Sequence, residues 1–211
     1  MSFSCKVLSR NKDMIIGKNK PSEWMTLDCV NWPEAFPYKP DVRFRVWHDG
    51  KSLHIEYQVK EQGTRALQTV LGGPVYEDSC VECFIQPSSA DPHYYNFEFN
   101  PIGMMALACR TGREDPEDAP RHVLESVRIE TTAGLEPFTE KRVEEWSLKI
   151  AIPASTLFNA GIDDFSGRTM RMNFFKCGDG LKVPHFVTWA PIDTPKPDYH
   201  RPEFFLPVEF E

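Results

Sequence analysis

The chain has 211 residues, a formal net charge of −7 and no Lys/Arg run longer than two, so it lacks the basic patch that a nucleic-acid partner requires. Its residues are 41% hydrophobic and 26% charged, and no stretch approaches the roughly 18–20 apolar residues that span a bilayer, which argues against a membrane partner. Residues 1–12 contain no apolar segment of the about 7–15 residues that marks a signal peptide. The expectation is a cytoplasmic protein, or a secreted or periplasmic one should the natural chain begin further upstream.

Such a length fits a single domain over residues 1–211 and buries enough surface to need no staple. With 18 Pro and 15 Phe, the composition suits short strands and ordered loops better than long helices. Six cysteines (Cys5, Cys29, Cys80, Cys83, Cys109 and Cys177) are too sparse for a disulfide scaffold. Cys80 and Cys83 have CxxC spacing but fall in a strand. Residues three apart on a strand face opposite sides, so these two thiols do not share a metal and read as small buried apolar groups.

In chain order, the first clear signal is a hairpin. Val42–Trp47 and Ser52–Lys60 flank His48-Asp49-Gly50-Lys51, and Asp-Gly between alternating runs specifies a tight turn. Leu53, Ile55, Tyr57 and Val59 face the core; His54, Glu56, Gln58 and Lys60 face away. Strands follow at about Ser79–Gln86, Tyr94–Phe99 and Met104–Arg110, the last two joined by the turn Asn100-Pro101-Ile102-Gly103. Residues 112–120 are a polar loop, and Val123–Thr132 reads as a strand. Glu145–Ile152 alternates cleanly, with Trp146, Leu148, Ile150 and Ile152 inward. Pro153–Phe158 suits one helical turn. Thr169–Lys176, His185–Trp189 and Glu203–Phe210 complete the series. The expected fold is an all-β antiparallel sandwich of about nine to eleven strands with at most one or two short helical turns.

No Ser nucleophile elbow, phosphate-cradling Gly loop or HExxH motif is present. Glu82 and Glu98 both lie on the polar side of their strands and are the candidate carboxylate pair for a glycan-active enzyme. The histidines are scattered singly, without metal-ligand spacing on one strand face. Two aromatic residues stand at loop–strand junctions, Tyr76 before the Ser79 strand and Trp189 after the His185 strand. Rings so placed can stack on a pyranose.

The run Tyr76-Glu77-Asp78-Ser79-Cys80-Val81-Glu82-Cys83-Phe84-Ile85-Gln86-Pro87 resembles a block of family 9 carbohydrate-binding modules. Residues 94–103 resemble that family's next hairpin, and residues 146–153 its Trp-x-x-Glu-Ile-Ala-Ile-Pro strand. Residues 171–176 and Trp189 resemble its closing blocks. The resemblance covers roughly residues 40–210 and implies a β-sandwich related to the DOMON superfamily. It further implies non-catalytic binding of a mono- or oligosaccharide clamped between Tyr76 and Trp189, with Glu82, Asn96, Glu98 and Lys176 as polar partners. Tyr76 stands where the family usually has Trp, and Lys149 where it often has Glu. The resemblance also implies loop-bound calcium, for which Asp115–Asp118 and Asp163-Asp164 are the acidic stretches, and association with a glycoside hydrolase. A haem held between Met and His, as in some DOMON-related domains, is the alternative from another class.

Overall fold

The computed structural model describes residues 14–141 and 145–211. The stretch read for a signal segment, and Cys5 with it, lies outside these residues. In chain order the strands are β1 (Met14–Ile16), β2 (Met25–Thr26), β3 (Asp41–His48), β4 (Ser52–Lys60), β5 (Thr64–Ala66), β6 (Cys80–Gln86), β7 (Tyr94–Phe99) and β8 (Met105–Arg110). They continue with β9 (Glu117–Asp118), β10 (Arg128–Thr131), β11 (Phe138–Lys141), β12 (Glu145–Pro153), β13 (Thr169–Cys177), β14 (Phe186–Thr188) and β15 (Leu206–Phe210). No helix among the described residues is long and apolar enough to cross a membrane.

Two sheets form the sandwich. The larger runs β1-β15-β13-β6-β7-β8-β9, and the smaller β10-β12-β4-β3-β2; β5 and β11 make a separate two-stranded ribbon. All pairings are antiparallel except β1 with β15. Alternation dictates which side chains meet between the layers. Leu53, Ile55, Tyr57 and Val59 of β4 and Trp146, Leu148, Ile150 and Ile152 of β12 pack against Val81, Cys83 and Ile85 of β6, Tyr95, Phe97 and Phe99 of β7, and Met170, Met172 and Phe174 of β13. The β3–β4 hairpin turns at Gly50, whose φ of 93° lies in the left-handed region that favours glycine.

The strand expected over Val123–Thr132 is two elements. Its first part is a four-residue helix, α1 (Arg121–Leu124), which follows Pro120 and buries Val123 and Leu124; β10 occupies only the second part. The sequence reading also passed over β1, β2, β5, β9 and β11, which are two to four residues long. β1, β2 and β9 are held by longer neighbours and β5 and β11 by each other, and all five are too short to carry a periodicity of their own. Short 3-10 turns at Val75–Glu77, Ala154–Thr156 and Pro202–Phe204 exceed the one or two helical turns expected.

One topological detail creates the site. β15 pairs with the first half of β13, Thr169 to Met172, while β14 pairs with its last residues, Phe175 to Cys177. The chain between β14 and β15 leaves the sheet and crosses its outer face. There Ile192, Tyr199 and Phe205 form a second apolar cluster with Cys80, Phe84, Phe175 and Cys177. What remains of that face is a walled depression.

Candidate functional site

The depression is a cavity of about 1070 Å³, just above the roughly 300–1,000 Å³ usual for small-molecule sites. Strand parity supplies its floor. Glu82 on β6 and Glu98 on β7 are paired in register, and Asn96 lies two residues from Glu98 on the same face. Ala106, Ala108 and Arg110 of β8 extend the floor, the two alanines leaving room above it. The Arg110 Nε donates to Asn96 Oδ1 (2.9 Å), and the Asn96 amide donates to Glu98 Oε1 (2.8 Å). The Cys177 thiol donates to Glu82 Oε1 (3.0 Å).

Tyr76 stands on the rim, 44% exposed, in the turn Val75–Glu77. The loop after β13 supports that turn through Asp179 N to Tyr76 O (3.4 Å) and Gly180 N to Glu77 O (3.0 Å). The approach is so close that a Cβ on Gly180 would lie 2.6 Å from the Glu77 carbonyl. Asp78, fully buried, ties the same wall together by accepting from the Leu67 and Gln68 amides and the Asn100 side chain. The crossing segment forms the opposite wall. It is fastened by Arg113 to Asp198 (2.9 Å), Tyr94 Oη to His200 Nδ1 (3.0 Å) and stacking of Tyr199 on Phe175 (4.3 Å between centroids).

Burial chiefly raises the Glu82 carboxyl well above the usual carboxylate range, and the neighbouring Glu98 charge adds to it. Burial likewise raises Glu98 to about 7, against the opposing pull of Asn96 and Arg110. Near neutrality the floor therefore presents carboxyl groups that can donate as well as accept. A carboxyl raised on folding binds more protons in the folded state, so its contribution to stability declines as pH rises from about 4.5 to about 7 and is level above. Burial lowers His200 to about 3 and His185 to about 2, so both disfavour the folded state as pH falls below the ordinary histidine value. Because these opposing groups overlap, the comparison that isolates Glu98 is wild type against Glu98→Gln. In metal-free buffer, urea unfolding of the variant is expected to lose the part of the decline between pH 4.5 and 7 that Glu98 supplies. Parallel profiles for the two proteins would contradict the burial of an ionising Glu98.

Four of the six expected sugar contacts meet here: Tyr76, Glu82, Asn96 and Glu98 all border the cavity. Trp189 and Lys176 do not, which corrects both expectations. Trp189 is 7% exposed and belongs to the core between the sheets, edge-on to Phe44 (6.2 Å) and Phe174 (5.7 Å). Lys176 is fully buried on the inward face of β13, ion-paired with Glu61 (2.8 Å). No two-ring clamp of Tyr76 and Trp189 exists. The cavity instead recruits Arg110, Arg113, Asp179, Asp198 and His200. Of these, Arg110 alone was open to sequence reasoning, as the polar-side end of the Met104–Arg110 strand.

The free cysteines Cys80, Cys83, Cys109 and Cys177 are buried. Cys80 faces the outer cluster and Cys83 the core, as strand parity required. The acidic stretches considered for calcium do not gather three donors among the described residues. The Asp164 carboxylate accepts from Ser166 N (2.8 Å) and is ion-paired with Lys51 (3.4 Å), and Asp115–Asp118 lie exposed along a loop and the short β9. They do not fit a calcium site.

A family profile described as carbohydrate-binding family 9 matches residues 11–210. A protein of Bacteroides uniformis ATCC 8492, described as a candidate carbohydrate-binding protein, is 41% identical over 90% of this chain and 86% of its own, with a TM-score of 0.85. A family 9 module from Caldicellulosiruptor kristjanssonii, solved with glucose, is 11% identical over 95% of this chain and 96% of its own, at a TM-score of 0.59. A cellotriose complex from the same organism is 10% identical over 95% and 94%, at 0.62. Likeness at that identity is likeness of fold alone. No curated protein matches the chain.

Proposed function

This chain belongs to carbohydrate-binding family 9, and on that premise we propose that the cavity on the outer face of its larger sheet binds a mono- or oligosaccharide without cleaving it. The observation that carries the reading is one exposed ring, Tyr76, above a floor of buried carboxyl and amide groups and the half-buried Arg110 guanidinium. A sugar has an apolar ring face and a fringe of hydroxyls, each both donor and acceptor. Tyr76 offers the flat apolar contact, while Glu82, Asn96, Glu98 and Arg110 offer partners of both kinds at fixed positions. The glucose and cellotriose held by the Caldicellulosiruptor modules support this ligand class.

Glu82 and Glu98 stand side by side on adjacent strands of one floor, so both can meet hydroxyls of one bound sugar. Sustained release of reducing sugar, abolished by Glu82→Gln, would favour an enzyme instead. A Soret band in the purified protein would favour the haem alternative.

Isothermal titration with glucose, cellobiose and xylo-oligosaccharides tests the reading. A site with a single stacking ring should bind in the micromolar to millimolar range. An aromatic contact contributes about 0.5–1.5 kcal/mol beyond area burial, so Tyr76→Ala should weaken binding about 2- to 10-fold, and Tyr76→Trp should preserve or strengthen it. Equal affinity of wild type and Tyr76→Ala for every bound sugar would rule out stacking at the rim.

A further inference from the structure

The cavity floor holds a group of side chains that sugar recognition does not require. Cys80 and Glu82 are two residues apart on β6 and share its outward face, and β13 sets Cys177 opposite Cys80. One donor atom from each lies within 4.8 Å of the other two, and all three residues are buried. Among the described residues no other group of three His, Cys, Asp or Glu donors is gathered this closely. The Glu82 carboxyl is met by the Cys177 thiol, a weak donor. The buried ammonium of Lys176 is turned to the opposite face of the sheet, toward Glu61. All three groups of the cluster are ones that a soft divalent cation takes as ligands once their protons are lost.

We propose that Cys80, Cys177 and Glu82 bind a zinc-type divalent cation at the floor of the cavity, with a fourth coordination position directed into it. Zinc takes thiolate at about 2.3 Å and carboxylate at about 2.0–2.2 Å, which places tetrahedral ligand atoms about 3.5–3.8 Å apart. The three donor atoms lie within 4.8 Å of one another, with Cys177 Sγ and Glu82 Oε1 at 3.0 Å, so coordination needs shifts of about 1.3 Å or less, the closest pair moving apart, within reach of small side-chain rotations. Two sulfur ligands select zinc over calcium or magnesium, which prefer oxygen donors. Glu82 and Cys177 border the cavity, giving the ion a route in. Burial raises the Cys80 thiol to about 12 and the Cys177 thiol well above its usual value. Both thiol protons and the Glu82 proton therefore leave to solvent as the ion enters, with no change of oxidation state.

The test uses the whole chain, reduced and freed of metal by a chelator, then titrated with cobalt(II) as a spectroscopic stand-in and displaced by zinc. The expected result is one equivalent of cobalt, a thiolate-to-cobalt charge-transfer band, and loss of that band when zinc is added. Cys80→Ser and Cys177→Ser should each weaken binding roughly a hundredfold or more, while Cys109→Ser, a buried thiol outside the group, should leave it unchanged. Wild type alone decides the matter should a variant fail to fold: without a charge-transfer band at stoichiometric cobalt, the proposal falls. Binding retained in both serine variants overturns it too. Sugar titration of metal-free protein keeps this result separate from the carbohydrate reading, since either can fail without the other.

Discussion

Replacing Trp189 by alanine is expected to lower the stability of the fold by about 3–5 kcal/mol, the usual cost of emptying a large aromatic site in a packed core. The ring is wedged between Phe44 of one sheet and Phe174 of the other, and the Trp189 amide donates to Phe174 O (2.9 Å). In a protein of this size each kcal/mol moves the melting temperature by about 2–4 °C, so thermal unfolding should shift by about 6–20 °C. Trp189→Phe should recover part of the loss. Sugar affinity of the folded variant, measured well below its melting point, should stay within about twofold of wild type, because the ring does not face the cavity. A variant that keeps its melting temperature and loses its sugar would return Trp189 to the binding site.

The second large effect concerns the buried ion pair. Lys176 Nζ is met by Glu61 Oε2 (2.8 Å), His185 Nε2 (2.8 Å) and the Cys177 carbonyl (2.7 Å), which satisfies all three of its donors. Burial and the Lys176 charge hold His185 neutral, so its Nε2 accepts while its Nδ1–H donates to Val183 O (3.0 Å). Glu61 is held from the other side by Trp146 Nε1 (2.8 Å). Removing one partner strands a buried charge, so Lys176→Met or Glu61→Gln alone should cost about 3–5 kcal/mol. The double variant should cost clearly less than the sum of the two, since neither charge is then left alone. Urea unfolding of the four proteins measures the coupling. Additive losses would mean that the two groups do not act as a pair. Sugar binding should survive in all four.

These two residues also show where the sequence stops being readable. The outward placement of Glu82, Asn96 and Glu98 is legible because each lies in a strand whose apolar residues declare the core side, leaving only one side for the polar groups. Lys176 obeys the same parity. It is two residues from Phe174, which faces the core, and so had to turn inward, yet its charge argued for a polar site. What overrode charge was a partner from outside the strand: Glu61 lies 115 residues away, directly after the end of β4. Trp189 follows a three-residue strand with too little alternation to fix its direction. Tyr76 was legible because the glycines and proline before it mark a loop, where a ring can remain at the surface. Arg113, Asp198 and His200 were not, because only the crossing of the outer face brings their segments together. The Cys80–Cys177 meeting is set by the register of β6 with β13, which no local spacing encodes.

The crossing segment has a consequence for how binding competence arises. Its ties reach far back along the chain: Trp32 to Thr194, Tyr94 to His200 and Arg113 to Asp198 join residues 162, 106 and 85 positions apart. Closing loops of that size costs entropy before any contact rewards it, so such links form late when a chain folds. A ribosome that has released only the first 190 residues or so has made both layers of the sandwich almost complete, but not the far side of the binding cleft. Recognition thus waits for the segment between β14 and β15.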